Sequence, residues 1–327
     1  MISIAFTEPL PLDSLLPYNF VFDDARQKYS LAQLLPELLY PQSSFPNLVI
    51  KSDIKQMLHG SCRKPHYPSK DSLAEVDRLL TNEKLDATTR PAMLMMTGDQ
   101  IYADDVAGPM LVAIHQVIEL LGLYGEEWQG AKVNNSEALF NSPLCYYKRD
   151  KLLPNNSANK AVYDKIFAAA KKPIFTTDTS KNHLITLAEV FAMYILVWSP
   201  TMWRFVNLQS IKIDKQFSAT YQQEMAIIED FTTTLPAVSR GLAHLPVYMI
   251  FDDHDITDDW NLTRGWEEAA YGHPFSKRII GNALIAYWLC QGWGNAPDKF
   301  TTFNQQAEQY FQENSYVKQD LLIDKLL

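Results

Sequence analysis

The sequence predicts an α/β protein in which a sheet core is interrupted by a large, mainly helical insertion. Three observations carry this expectation. First, three short apolar runs each end in a turn or an acidic cluster: "IKQMLHGSC" (Ile54 to Cys62), "PAMLMMTGD" (Pro91 to Asp99) and "LPVYMIFDD" (Leu245 to Asp253). Runs of this length bounded by turn signals fit strands buried on both faces. Second, "KDSLAEVDRLLTNEK" between the first two runs puts Leu73, Val76, Leu79 and Leu80 at helical spacing, giving strand, helix, strand: a parallel βαβ unit. Third, helical periodicity dominates from Val106 to about Leu242, between the second and third runs.

Taken in order, residues 1–50 form a segment rich in proline ("FTEPLPLDSLLPYNFVF"), which predicts short strands and turns. The sheet core takes residues 51–110 and 244–295. Within it, Asp71 or Ser72 can cap the first helix, with Glu75 three residues after Ser72 completing a capping box. Residues 111–243 are the helical insertion, carried by "MLVAIHQVIELLGLYG", "LITLAEVFAMYILVW" and "DKQFSATYQQEMAIIEDFTTTL", with a polar break near "LLPNNSANK". Residues 296–327 continue the helical pattern that starts at Trp266 and end in the amphipathic "QDLLIDKLL".

At 327 residues and 47% hydrophobic, the chain can bury a large core. A net charge of -9 makes a nucleic-acid backbone a poor partner, and no basic surface is evident. The longest apolar run, "VFAMYILVW", is about half of the roughly 18 residues a membrane span needs, so no span is expected. Cys62, Cys145 and Cys290 are an odd number at wide spacing, unlike a disulfide framework, and no signal peptide is evident. A cytoplasmic protein is the expectation.

The chemistry-bearing residues lie at the ends of the apolar runs. In "FDDHDITDDWN" five carboxylates (Asp252, Asp253, Asp255, Asp258 and Asp259) fall within eight positions around His254. Two unit charges about 4 Å apart repel by roughly 4 kcal/mol at an effective dielectric near 20, so a cation would relieve the crowding. In open parallel sheets ligands bind beyond the carboxyl ends of the strands, and Cys62, Asp99 and Asp253 each stand at such an end. The bland readings differ by residue. Asp104 and Asp105 fit a helix N-cap, and Asp258 or Asp259 fits a solvated loop. His254 beside carboxylates is a candidate general acid, and Arg63 a candidate phosphate clamp. An EF-hand does not fit, because Asp258 and Arg264 stand where Gly and Glu are needed. The chain has no G-x-S-x-G, P-loop or G-x-G-x-x-G motif.

"GSCRKPH", "TGDQIYADD" and "FDDHDITDDWN", in this order, resemble the PhoD-like (alkaline phosphatase D) branch of the calcineurin-like metallophosphoesterases. The resemblance covers roughly Leu58 to Gly294. It implies a metallophosphoesterase-like α/β sheet core and hydrolysis of a phosphate ester by metal-activated water. It also implies metal ligands Cys62, Asp99 (bridging), Tyr102 and Asp253, with Asp252 able to exchange roles with Asp253, and His254 assisting the leaving group. The metals implied are iron with calcium, with manganese or magnesium as alternatives; a Tyr102 phenolate would favour ferric iron. The pattern departs from the family in one respect: the later "GD-x-H" segment is absent, Gly98–Asp99 being the one Gly-Asp pair. Either the chain is an incomplete fragment of the full sandwich or the site lacks part of its metal shell; three intact motifs favour the fragment. The rival reading is a catalytically silent binding or scaffold protein on the same fold.

Overall fold

The structure, a computed structural model, describes residues 4–82, 86–123, 125–154, 174–175 and 179–312. The N-terminal segment forms the expected short strands. β1 (Leu16–Pro17) pairs antiparallel with β4 (Asn47–Leu48), and β2 (Val21–Asp23) with β3 (Lys28–Ser30). Each of these strands is only two or three residues long, and in β1 Pro17 removes a ladder donor.

The three apolar runs become β5 (Leu58–Gly60), β6 (Leu94–Thr97) and β7 (Val247–Ile250), one parallel sheet in the order β5-β6-β7. Leu58, Leu94 and Val247 stand in register, as do Gly60, Met96 and Met249. α1 (Ala74–Asn82) crosses from β5 to β6. Asp71 Oδ1 accepts from the Leu73 N–H at its start, while Glu75 pairs with Arg78.

The expectation that these strands are buried on both faces is corrected. Leu58, Leu94, Met96, Val247 and Met249 pack on Val76 and Leu80 of α1 and on Val238 and Leu242. The opposite face leaves His59, Thr97, Tyr248 and Ile250 exposed. The reason is topological. Strand order follows chain order, and α1 and the helix of residues 218–242 that precedes β7 pack together on the same side of the sheet.

The insertion is helical as predicted, with α2 (Gly108–Leu121), α3 (Leu187–Trp198) and α4 (Ser218–Leu242). Their mutual core is lined by Leu111, Ile114, Val190, Met193, Ile228 and Leu235, among others. After β7 come α5 (Arg264–Gly272), α6 (Pro274–Tyr287) and α7 (Thr301–Gln312). The polar break after residue 154 and the "QDLLIDKLL" segment lie outside the described residues. Among the described residues no helix is long and apolar enough to cross a membrane.

Candidate metal centre

The sheet brings the three sequence motifs to one edge. Beyond β5 the chain turns at Cys62 and beyond β6 at Asp99, with φ of 56° and 49°, the left-handed region that non-glycine residues rarely occupy. The two turns are zipped together, the Cys62 N–H donating to Gly98 O at 3.2 Å and the Arg63 N–H to Asp99 O at 3.0 Å. Gly98 is required: at its φ of 115° an added Cβ would stand 2.8 Å from the Cβ of Asp252. That approach brings the loop after β7 against the turn after β6.

Asp99, Asp252 and Asp253 each offer a carboxylate oxygen, all within 4.8 Å of one another. Asp99 is 5% exposed, and its Oδ1 is buried without a hydrogen-bond partner. Burial pushes the Asp99 carboxyl above the usual carboxylate range, and the Asp252 and Asp253 charges add to the shift. Tyr102 is buried and donates its hydroxyl to Asp99 Oδ2 at 3.3 Å. Burial first, and the Asp99 charge second, push its phenol well above the ordinary value. The Cys62 thiol stands beside Asp99 and Tyr102, and both act on its ionisation. A hydrogen bond with Ser61 pulls the thiol down, but desolvation and Asp99 outweigh it, so the net shift is upward. The residues expected from the first, second and third motifs are therefore brought together. Asp99, Asp252 and Asp253 form the compact set, with Cys62 and Tyr102 against it.

His254 lies over the ring of Tyr102, with ring centroids 4.6 Å apart. Its Nδ1 meets Asp104 Oδ2 at 2.9 Å. Asp104 is fully buried, at 0% exposure, and also accepts the Asp258 N–H at 3.2 Å. The hydrogen bond to Asp104 raises the His254 pKa to about 9. Asp104 is thus no helix cap. The N-cap of α2 is Ala107, which has no side-chain oxygen, and Pro109 fills the first turn. Asp105 is likewise no cap: it pairs with Lys64 and with His66 at 3.3 Å. Burial alone would raise its pKa, but His66 and Lys64 hold it well below the usual range. Asp258 and Asp259 are half-buried rather than solvated, with the Asp259 N–H donating to Asp253 Oδ2 at 3.3 Å.

Arg63 is the main correction. Its Nε and Nη2 donate to Asp71 Oδ2 at 3.0 and 2.7 Å, its Nη1 donates to Val197 O, and its guanidinium lies 4.8 Å from the Phe231 ring centroid. A guanidinium spent on one buried carboxylate oxygen and a carbonyl ties the Cys62 loop to α3 and α4; it is not a phosphate clamp. The partner, Asp71, sits only eight positions away but reads in the sequence as a helix cap.

Asp255 carries a role the sequence reading missed. It is 2% exposed and accepts from the backbone N–H of Gln100 and Ile101 at 3.1 Å and of Asp252 at 3.0 Å, and from Tyr194 Oη at 3.4 Å. One carboxylate thereby fastens the Asp99 turn, the Asp252 loop and α3 together. The signal that could have found it is the Asp252-x-x-Asp255 spacing of a capping box, which the structure contains.

An Asp104→Asn substitution is expected to change stability in a pH-dependent way. The folded His254 pKa, about 9, lies above its unfolded value near 6.5, so the pair's stabilisation is complete below about pH 6.5 and is lost as pH rises through about 9. Thermal midpoints of both proteins from pH 6 to pH 10 should show a gap that narrows toward high pH. A gap of constant size would remove the ionic origin assigned to the pair. No protein-family model, no curated protein and no solved structure matches this chain.

Proposed function

We propose that the chain is a metal-dependent phosphoric-ester hydrolase. The observation that carries the reading is the buried Asp99 Oδ1, left without a partner beside the carboxylates of Asp252 and Asp253. A buried carboxylate oxygen without a donor costs about 1–3 kcal/mol or more, and like charges at this spacing add to it. A hard cation removes both penalties. The donor set fits: three carboxylates suit calcium, magnesium or manganese, and a thiol and a phenol beside them extend the range to iron. Asp99, Asp252 and Asp253 would hold the ion, with Cys62 and Tyr102 completing the shell. Both side chains hold their protons at neutral pH, because their environments raise both pKa values, and each would have to lose its proton to serve as a ligand.

A bound cation of this kind supplies Lewis acidity toward phosphoryl oxygens and brings the pKa of an attacking water toward about 7. The chain's own residues supply the rest. His254, protonated at neutral pH and held through Nδ1 by Asp104, retains a proton on Nε2 to deliver to a leaving oxygen. Tyr102 stacks beneath the imidazole and fixes its plane. Asp255 holds the two metal-bearing turns at constant separation.

The test is calorimetric titration of metal-depleted protein with Mn²⁺, Ca²⁺ and Fe²⁺, followed by assay of each loaded form on bis(p-nitrophenyl) phosphate and p-nitrophenyl phosphate. Saturable binding with metal-dependent release of p-nitrophenol is expected. Saturable binding with no hydrolysis by any loaded form would overturn the hydrolase reading and leave a metal-binding scaffold. No binding at all would overturn the metal centre.

A further inference from the structure

We propose that the cleft beside the carboxylate cluster receives the organic group of the substrate, and that this group is apolar: an alkyl or aryl phosphate ester. The inference rests on the phosphoesterase reading of the neighbouring site and adds the substrate class to it. The cleft has a volume of about 660 Å³, within the roughly 300–1,000 Å³ of sites for small organic ligands. It opens along β5, which has no strand neighbour on its outer side among the described residues.

Its apolar walls are Leu58, Val76, Leu79, Met96 and Phe231, and the polar side chains of His59, Ser61, Ser69 and Ser72 share the lining. One end is Cys62 and Tyr102, and the Tyr102 hydroxyl donates to Asp99, so that end of the cleft borders the carboxylate cluster. Among the ionised groups along the wall, Arg63 is matched with Asp71, Lys64 with Asp105 and Glu75 with Arg78. Exposed Lys70 also lines the cleft and provides positive charge for a phosphate lying between it and the cluster. Anionic head toward the metal-bearing end, apolar body in the cleft: the arrangement matches an amphiphilic phosphate rather than a polar one.

The experiment is isothermal titration of the Mn²⁺-equilibrated protein with inorganic phosphate and with butyl, hexyl and octyl phosphate as monomers. Burial of each methylene is expected to lower Kd about fourfold, so that octyl phosphate binds far more tightly than butyl phosphate. Leu79→Asp, on the cleft side of α1, should abolish the chain-length dependence while leaving inorganic phosphate binding unchanged. Ser72→Trp provides a second variant at an exposed cleft position, expected to weaken octyl phosphate at least about tenfold by occupying the space. A flat chain-length series in the wild type would overturn the proposal, as would an unchanged series in both folded variants. Hydrolysis of methyl phosphate reports separately on the catalytic reading. Turnover with a flat series removes the cleft and keeps the phosphoesterase; a steep series without turnover does the reverse.

Discussion

Asp99→Asn is expected to abolish metal binding and hydrolysis together while leaving the fold intact. Asn preserves the shape of the side chain and tolerates the left-handed φ of 49° that this position imposes, so the turn after β6 survives. What is lost is the central charge of the set formed with Asp252 and Asp253. Loss of outer-shell partners already lowers metal affinity about 10- to 100-fold, and removal of a direct ligand should exceed that range. The metal-free variant should unfold at a temperature no lower than the metal-free wild type, since one of three crowded carboxylates has been neutralised. Elemental analysis of both purified proteins, thermal unfolding with and without chelator, and phosphodiester assay together decide the matter. Unchanged metal content and unchanged hydrolysis in a folded Asp99→Asn protein would sink the proposed centre.

The second large effect lies away from the site, in the helical insertion. Arg149→Met should destabilise the protein by about 3–5 kcal/mol, the usual consequence of removing one partner of a buried ion pair. Arg149 and Glu189 are both fully buried, at 0% exposure, and meet through Nη1–Oε2 at 3.0 Å and Nη2–Oε1 at 2.8 Å. Burial opposes both charges, but their mutual attraction wins: Arg149 is pushed above and Glu189 well below the usual values. Glu189 also accepts from the N–H groups of Ile185 at 2.8 Å and Thr186 at 3.1 Å, closing the capping box that starts α3, and meets His115 Nε2 at 3.0 Å. Without Arg149 the carboxylate stays committed to the cap but loses its countercharge, and the thermal midpoint should fall by roughly 10 °C. The double variant Arg149→Met, Glu189→Gln should recover part of the loss, because a glutamine oxygen still serves the cap without a charge. An Arg149→Met midpoint within a degree of wild type would refute this account, and a double variant worse than the single would refute its electrostatic cause.

Both effects trace to how much of the molecule is written locally. The apolar runs ending at Cys62, Asp99 and Asp253 determined where the strands stop and which residues stand at their ends, because strand length and turn chemistry depend on neighbours a few positions away. The same locality made α1 to α4 visible through their periodicity. One parallel sheet then follows almost necessarily, and with it the meeting of Cys62, Asp99, Tyr102, Asp252 and Asp253 at one edge. That the sheet keeps one face open was not written in the runs themselves, since Tyr248 and Ile250 look as apolar as Val247 and Met249. It came from two crossovers landing on the same side.

Partner choice among charged groups was decided by tertiary structure alone. Asp104 meets His254 across 150 positions, Asp255 gathers N–H groups from a turn 155 positions away, and Arg63 reaches Val197 across 134. Read locally, the first is a helix cap, the second one carboxylate among five and the third a phosphate clamp. A buried ion or hydrogen-bonding group binds whatever complementary group packing brings within about 3 Å, and the free energy of that choice depends on desolvation. Sequence spacing carries the local backbone and hence the ends of strands; it does not carry which charges the packed core removes from water together.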